Sequence, residues 1–410
     1  SRIAAPMSVR EITYLRTLAR QYLEIARSDR MQTTISRWKD LVSGKRADRA
    51  MVLCRVNRAT KEIHPDSSYV CNDPFLRKIE EDLRWGIFTA GLGDDHCVFP
   101  YYPCQKVVTL ENPPRFGVEL EREDTGLHGG AWKTVPPIRD ESDLEKLALP
   151  VWRYDEEATD RRRALLEEIL GDILEIRPVG GFGVNVAFDQ IAETLLGMNE
   201  LLLGLSLNPS MIHSVMGFLR DYALSTLEQL EEMEILTENN DGHKHNSYSI
   251  KRDPESPVTA KDLWIWSNSQ VFGAVGPDHF NEFLLEYQKP IFRHFGAVSY
   301  GCCEDLTRKI DHIVTIPSLK IFVSSHWTDL EVVTPKCAER SLCIEWRQLA
   351  TDMMGEPDFD AWERHLRKGL EVTEGLRRYI VLQEVETIEG DVEKFRRWCD
   401  LAVQVCEENA

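Results

Sequence analysis

The chain has 410 residues, 42% of them hydrophobic and 29% charged, a composition that supports a sizeable soluble core. Lys plus Arg number 49 against 68 Asp plus Glu, and the net charge of −19 argues against a nucleic-acid-binding or anionic-membrane surface, which needs clustered cations. The most apolar run, LLLGLSLNPSMI at 201–212, is too short and broken to span a bilayer, and no charged-then-apolar leader is seen.

Taken in chain order, residues 1–50 read as a helical extension. ITYLRTLARQYLEIA repeats its apolar positions at helical spacing, and ISRWKDLVSG ends at a glycine stop. MVLCRV (51–56) is the first strand and 75–92 an amphipathic helix. DDHC at 94–97 packs three ligand types into four residues, but in a loop of the irregular first half, and we read it as structural. Residues 98–150, rich in Pro and Gly with short runs such as KVVTL and AWKTV, read as a β-rich, hairpin-bearing insertion within a domain spanning 51–410. From residue 140 onward short apolar strands alternate with amphipathic helices. Counted from MVLCRV there are about eight strands, so the expected fold is an α/β (β/α)₈ TIM barrel. No GxGxxG follows a strand and no P-loop is present.

A barrel directs attention to the C-terminal strand ends, where side chains from different strands converge. Ten cysteines with no CxxC pair and no zinc-finger spacing indicate a reducing cytoplasm, most thiols being small buried hydrophobes. Two of them are adjacent in SYGCCED (299–305), where a strand ends. Alternation places Tyr300, Cys302 and Glu304 on one side, Gly301 and Cys303 on the other. Thiolate and carboxylate together suit zinc, and His326, Cys343 and Glu384 stand at other expected strand ends as further ligands. Glu304, Asp329 and Tyr300 are the candidate catalytic or orienting groups. Trp266, Asn268, Gln270 and Asn185 are the candidate substrate-binding residues. The competing reading has the thiols packing against helices, His326 bonding a carbonyl and the acids solvated.

The second half resembles a known family. DHFNEFLLEYQKPIFRHFG, VSYGCCEDLTRKI and SLKIFVSSHWTDLE, with a closing strand–helix pair, resemble the uroporphyrinogen decarboxylase superfamily across roughly 140–405. VGGFGVNVAFDQIAETLLGMNELL is similar to its glycine-bearing strand and following helix. One branch, the porphyrinogen decarboxylases, carries F-M-R-Q-A-G-R near the first strand. Here CRVNRATKE keeps Arg55 and Arg58 but not the spacing or the glycine. The other branch, the corrinoid-linked methyltransferases, holds zinc through H-x-C and a cysteine on the last strand. Cys302 matches that first cysteine, whereas the histidine falls on Tyr300 and the last-strand cysteine near Glu384.

The resemblance therefore implies a zinc-assisted methyltransferase that moves methyl from a small methylated substrate (a methoxylated aromatic or a methylamine-like compound) to a separate corrinoid protein. A second copy of the chain, as a homodimer, is the other partner considered. DGHKH (241–245) starts like the D-x-H of a cobalamin-binding module, but Asn246 stands where that module needs glycine, so no corrinoid of the chain's own is expected. Two alternatives are a metal-free decarboxylase using Arg55, Arg58 and Asp329, and a non-catalytic corrinoid or tetrapyrrole binder.

Overall fold

The computed structural model describes residues 8–45, 47–124, 126, 132–180, 184–239, 250 and 252–410, so the DGHKH segment lies outside the described residues. In chain order the strands are β1 (Met51–Cys54), β2 (Tyr101–Gln105), β3 (Val107–Leu110), β4 (Glu121–Asp124), β5 (Trp132–Val135) and β6 (Trp152–Asp155). They continue as β7 (Glu175–Val179), β8 (Trp264–Ser267), β9 (Ala297–Tyr300), β10 (Leu319–Ser324), β11 (Cys343–Leu349) and β12 (Arg377–Gln383).

Six strands form one parallel sheet in the order β1–β12–β11–β10–β9–β8, and β2 pairs with β7 in a separate parallel pair. Eight strands are thus paired in parallel, six in one sheet and two in another, in a mixed α/β fold, and β2 comes from the region read as an insertion. Among the described residues no ladder joins β1 to β2 or β7 to β8, so the hydrogen-bonded ring of a closed barrel is not seen. The reason is visible at the edge of β1. Its outward N–H donors, on Val52 and Cys54, go to the side chains of Asp95 and Asp94, each at 2.7 Å. Carboxylates occupy an edge that a neighbouring strand would otherwise take. The DDHC stretch is therefore structural in its acids, and Asp95 also pairs both oxygens with Arg49 at 2.8 and 2.9 Å.

Alternation divides the sheet into two faces. Val52, Cys54, Val298, Tyr300, Ile344, Ile380 and Leu382 pack in the large core that includes the covering helices. Met51, Leu53, Ile321, Val323, Cys343, Tyr379 and Val381 form a second, inner cluster with Trp38. Trp38 lies on the helix Asp29–Val42 and is 2% exposed. It meets Tyr379 edge-on at 5.2 Å and donates its indole N–H to the Asp95 carbonyl at 2.8 Å. Burying an indole stabilises by roughly 2–3 kcal/mol, so the N-terminal helices belong to the body of the fold. The preceding helix, Val9–Arg27, contributes Leu15 and Ala19 to a cluster with Leu76, Ile79 and Leu83 of the helix Pro74–Ala90.

The 98–150 region is divided. β2 belongs to the parallel set, β3 pairs antiparallel with β6, which lies beyond residue 150, and β4 pairs antiparallel with β5. The apolar run at 201–212 breaks at Asn208 into the helices Met198–Leu207 and Pro209–Glu232, bent by 119°. No single helix among the described residues is long and apolar enough to cross a membrane.

Candidate active site

Past Tyr300 the ladder runs one residue further, the Gly301 N–H donating to the Ser267 carbonyl at 2.9 Å. Gly301 then takes φ +117°, and the chain turns so that the two thiols lie over the strand ends. The Sγ atoms of Cys302 and Cys303 are 3.4 Å apart, and the Cys303 thiol donates to Glu384 Oε1 at 2.5 Å. Glu384 follows the last residue of β12 with a left-handed φ of +64°, an unusual conformation for a side chain of this size. That turn carries its carboxylate to Cys303.

Arg347 reaches the same point from β11. Its Nη1 is 3.3 Å from the sulfur of Cys302 and 3.8 Å from that of Cys303. The guanidinium is braced from below, with Nε donating to Glu345 Oε1 at 2.7 Å and the Tyr379 hydroxyl donating to Glu345 Oε2 at 2.7 Å. A polar column thus rises along the inner face from Tyr379 through Glu345 and Arg347 to the thiols. Hydrogen bonding from Cys303, with Arg347 alongside, holds the Cys302 thiol down at about 6 despite its burial. Cys303 is pushed far the other way by the sulfur of Cys302, by burial and by Glu384. The two sulfurs titrate as a coupled pair in which Cys302 is the more readily ionised.

Glu304 is a positioning residue. Oε1 accepts from the Ser269 N–H at 2.6 Å and its hydroxyl at 3.1 Å, and Oε2 accepts from the Cys302 N–H at 2.9 Å. Both oxygens are spent tying the loop after β8 to the thiol turn. Trp266 does similar work, its indole N–H donating to the Gly301 carbonyl at 2.8 Å. Asn268 is buried, accepts from Gln190 at 3.0 Å and from the Gln270 N–H at 3.1 Å, and its Nδ2 has no hydrogen-bond partner. Gln270 and Asn185 are exposed, and Asn185 accepts from the Ala187 N–H at 2.9 Å in a local turn. His326 is half-buried against Trp327, its ring 4.3 Å away. Burial lowers its pKa, the carboxylates of Glu384 and Asp352 act against that shift, and its Nε2 is buried without a partner.

Three expected site residues lie elsewhere. Cys343 is the first residue of β11, about 13 Å along the strand below Arg347 at the usual rise, and packs in the inner apolar cluster. Tyr300 is fully buried on the opposite face, between Phe280 and Phe292, with its hydroxyl donating to Gln288 at 3.0 Å. Asp329 caps the helix Leu330–Glu339, accepting from the Glu331 N–H at 2.9 Å. The sequence reading missed Arg347 and Tyr379.

The donor set expected for zinc does not fit as assembled. Among the described residues no group of three His, Cys, Asp or Glu side chains is placed to hold a metal ion. The Arg347 guanidinium lies beside both sulfurs, where a dication would meet a fixed positive charge. The resulting site is a thiolate stabilised by an arginine.

A second carboxyl supports the loop after β8. Asp189, fully buried, accepts from the Val271 and Phe272 N–H groups at 2.8 and 3.3 Å, while its Oδ1 has no partner. Burial raises its pKa from 3.8 to about 7. A raised folded value means that its stabilising contribution is complete below about pH 4 and lost as pH rises to about 7. Compared with Asp189→Asn, the wild-type protein should therefore lose on the order of 4 kcal/mol across that window. Denaturant titrations of both proteins at a series of pH values measure the difference.

No protein-family model and no curated protein matches the sequence. Among solved structures, a methyltransferase from Methanosarcina mazei matches over 92% of this chain and 98% of its own, with a TM-score of 0.52 and 10% sequence identity. Across nearly its whole length, this chain is similar in fold to that methyltransferase.

Proposed function

We propose that the protein is a methyltransferase that takes methyl from a small methylated substrate and delivers it to a corrinoid protein, with Cys302 as nucleophile. The observation that carries this reading is the Cys302 sulfur set 3.3 Å from the Arg347 guanidinium at the C-terminal ends of parallel strands, an arrangement that favours the thiolate. The fold likeness to a methyltransferase supports it. A thiolate at neutral pH attacks a methyl carbon without first losing a proton. Its lone pair forms the S–C bond, and the electron pair of the broken bond leaves with the departing oxygen or nitrogen. Onward transfer returns the S–C pair to sulfur. Arg347 stands beside the charge on Cys302 between turnovers, and the single Cys303 proton lies within reach of both Glu384 Oε1 and the Cys302 sulfur. A reduced corrinoid on its own protein would supply the electron pair that forms the new bond to methyl.

The decarboxylase alternative has less support. Arg58 pairs with Glu386 and stands 4.0 Å from Glu384, so its charge is already balanced by acids, and Asp329 is engaged as a helix cap. A binder without chemistry has no use for a depressed thiol.

Wild-type protein incubated with reduced cobalamin and a panel of methoxybenzoates and methylamines should produce methylated cobalamin. Omitting the acceptor should trap one added CH₂ on the Cys302 peptide by mass spectrometry. Cys302→Ser should lower turnover by at least about 10³-fold. Unchanged turnover in that variant would remove the nucleophile. Metal analysis of chelator-free protein should give zinc well below one per chain. A full equivalent that Cys302→Ala releases would restore the zinc-assisted reading in its place.

A further inference from the structure

Methyl transfer needs one thiol at the mouth, and the turn after β9 supplies two. The Cys302 and Cys303 sulfurs are 3.4 Å apart, and a disulfide spans about 2.05 Å, so each would travel under an ångström to bond. Neighbouring α-carbons across a trans peptide stand about 3.8 Å apart, closer than the roughly 4.4–6.8 Å of most disulfides. A bond between adjacent residues therefore closes a strained eight-membered ring, which a thiol reductant reopens readily.

The surroundings give the two sulfurs different parts. Of the ten cysteines only Cys97, Cys302 and Cys303 are not buried. Burial and the Asp95 and Asp94 carboxylates push the Cys97 thiol up, which makes it a poor nucleophile. Cys302 instead has the Arg347 guanidinium 3.3 Å from its sulfur, and a thiolate is the form that attacks an oxidant. The Cys303 sulfur lies 2.5 Å from Glu384 Oε1, a carboxylate oxygen placed to take its proton. One sulfur is set to react first and its neighbour to follow.

We infer that Cys302 and Cys303 are a reversible oxidation site, at which a hydroperoxide converts the two thiols into a disulfide and so withdraws the nucleophile. The oxidation rests on the geometry of the pair, and only its effect on activity rests on the methyl-transfer reading above. The Cys302 sulfur attacks one peroxide oxygen, forming an S–O bond. The O–O bond breaks with its electron pair on the departing hydroxide, which takes a proton from solvent. Cys303 then gives its proton to Glu384, and its sulfur attacks that of the Cys302 sulfenic acid. The S–O bond breaks, and the second hydroxide leaves with the pair and takes the proton from Glu384. With hydrogen peroxide the products are one disulfide and two waters, the sulfurs having lost the two electrons that peroxide gained. The lone pair that would attack methyl is then on a sulfur already bonded to Cys303. Further oxidation of Cys302 to the irreversible sulfinic acid is forestalled in the same step.

Reduced protein treated with stoichiometric hydrogen peroxide, blocked with N-ethylmaleimide and cut with trypsin tests the site. The peptide His294–Arg308 holds both thiols and no methionine. By mass spectrometry it should be two hydrogens lighter and unblocked, and dithiothreitol should return two thiols that the reagent labels. In Cys303→Ser the reaction should stop at a Cys302 sulfenic acid that dimedone traps. In Cys302→Ser the remaining thiol should react at least about tenfold more slowly than the wild-type pair. Sulfinic acid on Cys302 beside a free Cys303 in wild type, or a Cys303 that reacts as fast alone as in the pair, overturns the inference. The methylated donors named above, offered without an acceptor, test the consequence. Reduced protein should gain CH₂ on Cys302, oxidised protein none, and dithiothreitol should restore the gain. If the disulfide forms and reopens while neither form gains CH₂, the methyl-transfer reading falls and the oxidation site stands. If reduced protein gains CH₂ but peroxide forms no disulfide, the oxidation site falls and methyl transfer stands.

Discussion

Arg347→Gln is expected to unfold more easily than wild type by about 3–5 kcal/mol and to raise the thiol pKa of Cys302 in the molecules that stay folded. Both effects follow from the same side chain. Glu345 is fully buried and Arg347 nearly so, and removing the guanidinium takes away the charged partner of a carboxylate in the inner core, which the Tyr379 hydroxyl also meets. Cys302 loses the cation 3.3 Å from its sulfur, so its titration should move up from about 6 toward the ordinary thiol range. Iodoacetamide labelling of Cys302 follows the thiolate fraction. In wild type it should therefore rise through about pH 6 and level off above about pH 7, and in the variant continue to rise beyond neutrality. The double variant Glu345→Gln/Arg347→Gln separates the two effects. Without a buried charge it should recover most of the stability, yet its labelling should stay as slow as in the single variant. Wild-type labelling in Arg347→Gln would mean that Cys303 alone maintains the thiolate.

The same arginine shows where the sequence was legible and where it was not. The thiols at the end of β9 and Glu384 beside the end of β12 were placed at the mouth from strand ends alone, and there they stand. Placing Cys343 beside them came from reading SLCIEW as a strand ending near Trp346, whereas β11 runs on to Leu349. Three further residues shift the strand's frame, so Cys343 falls to its foot and Arg347 takes the position near the mouth. The alternation Cys343, Glu345, Arg347 was present to be read, but a buried arginine looks like an ordinary surface residue until its partners are known. Barrel closure was not legible for a different reason. Repeated strands and helices indicate a parallel sheet, but whether β1 pairs with β2 depends on where Asp94 and Asp95 place their carboxylates. That is decided by tertiary contacts. Alternation from Tyr300 to Cys302 failed at Gly301, whose φ of +117° ends the strand geometry on which the rule depends.

That glycine yields the other large effect. Gly301→Ala should cost roughly 2–5 kcal/mol, strain and overpacking each contributing. At φ +117° an L-residue is strained wherever there is room, and here there is none. A Cβ would lie 2.5 Å from the Val323 carbonyl oxygen, 2.9 Å from Leu306 Cδ1 and 3.0 Å from Val323 Cβ. The carbonyl belongs to β10 and has little freedom to move, so the turn itself must give way. Cys302 is the next residue, and its N–H bond to Glu304 at 2.9 Å is the first contact the shift would stretch. The stability loss should therefore come with slower labelling of Cys302 near pH 7, because a displaced sulfur leaves Arg347. Gly276→Ala is the control, since that residue has φ −62° and a Cβ there would meet nothing within 4 Å. It should leave both readouts at wild-type values. Denaturant unfolding and labelling of the two variants side by side measure what the turn at Gly301 contributes. If the Gly301 variant matched the control, close packing against β10 could not be what places the thiol beside the arginine.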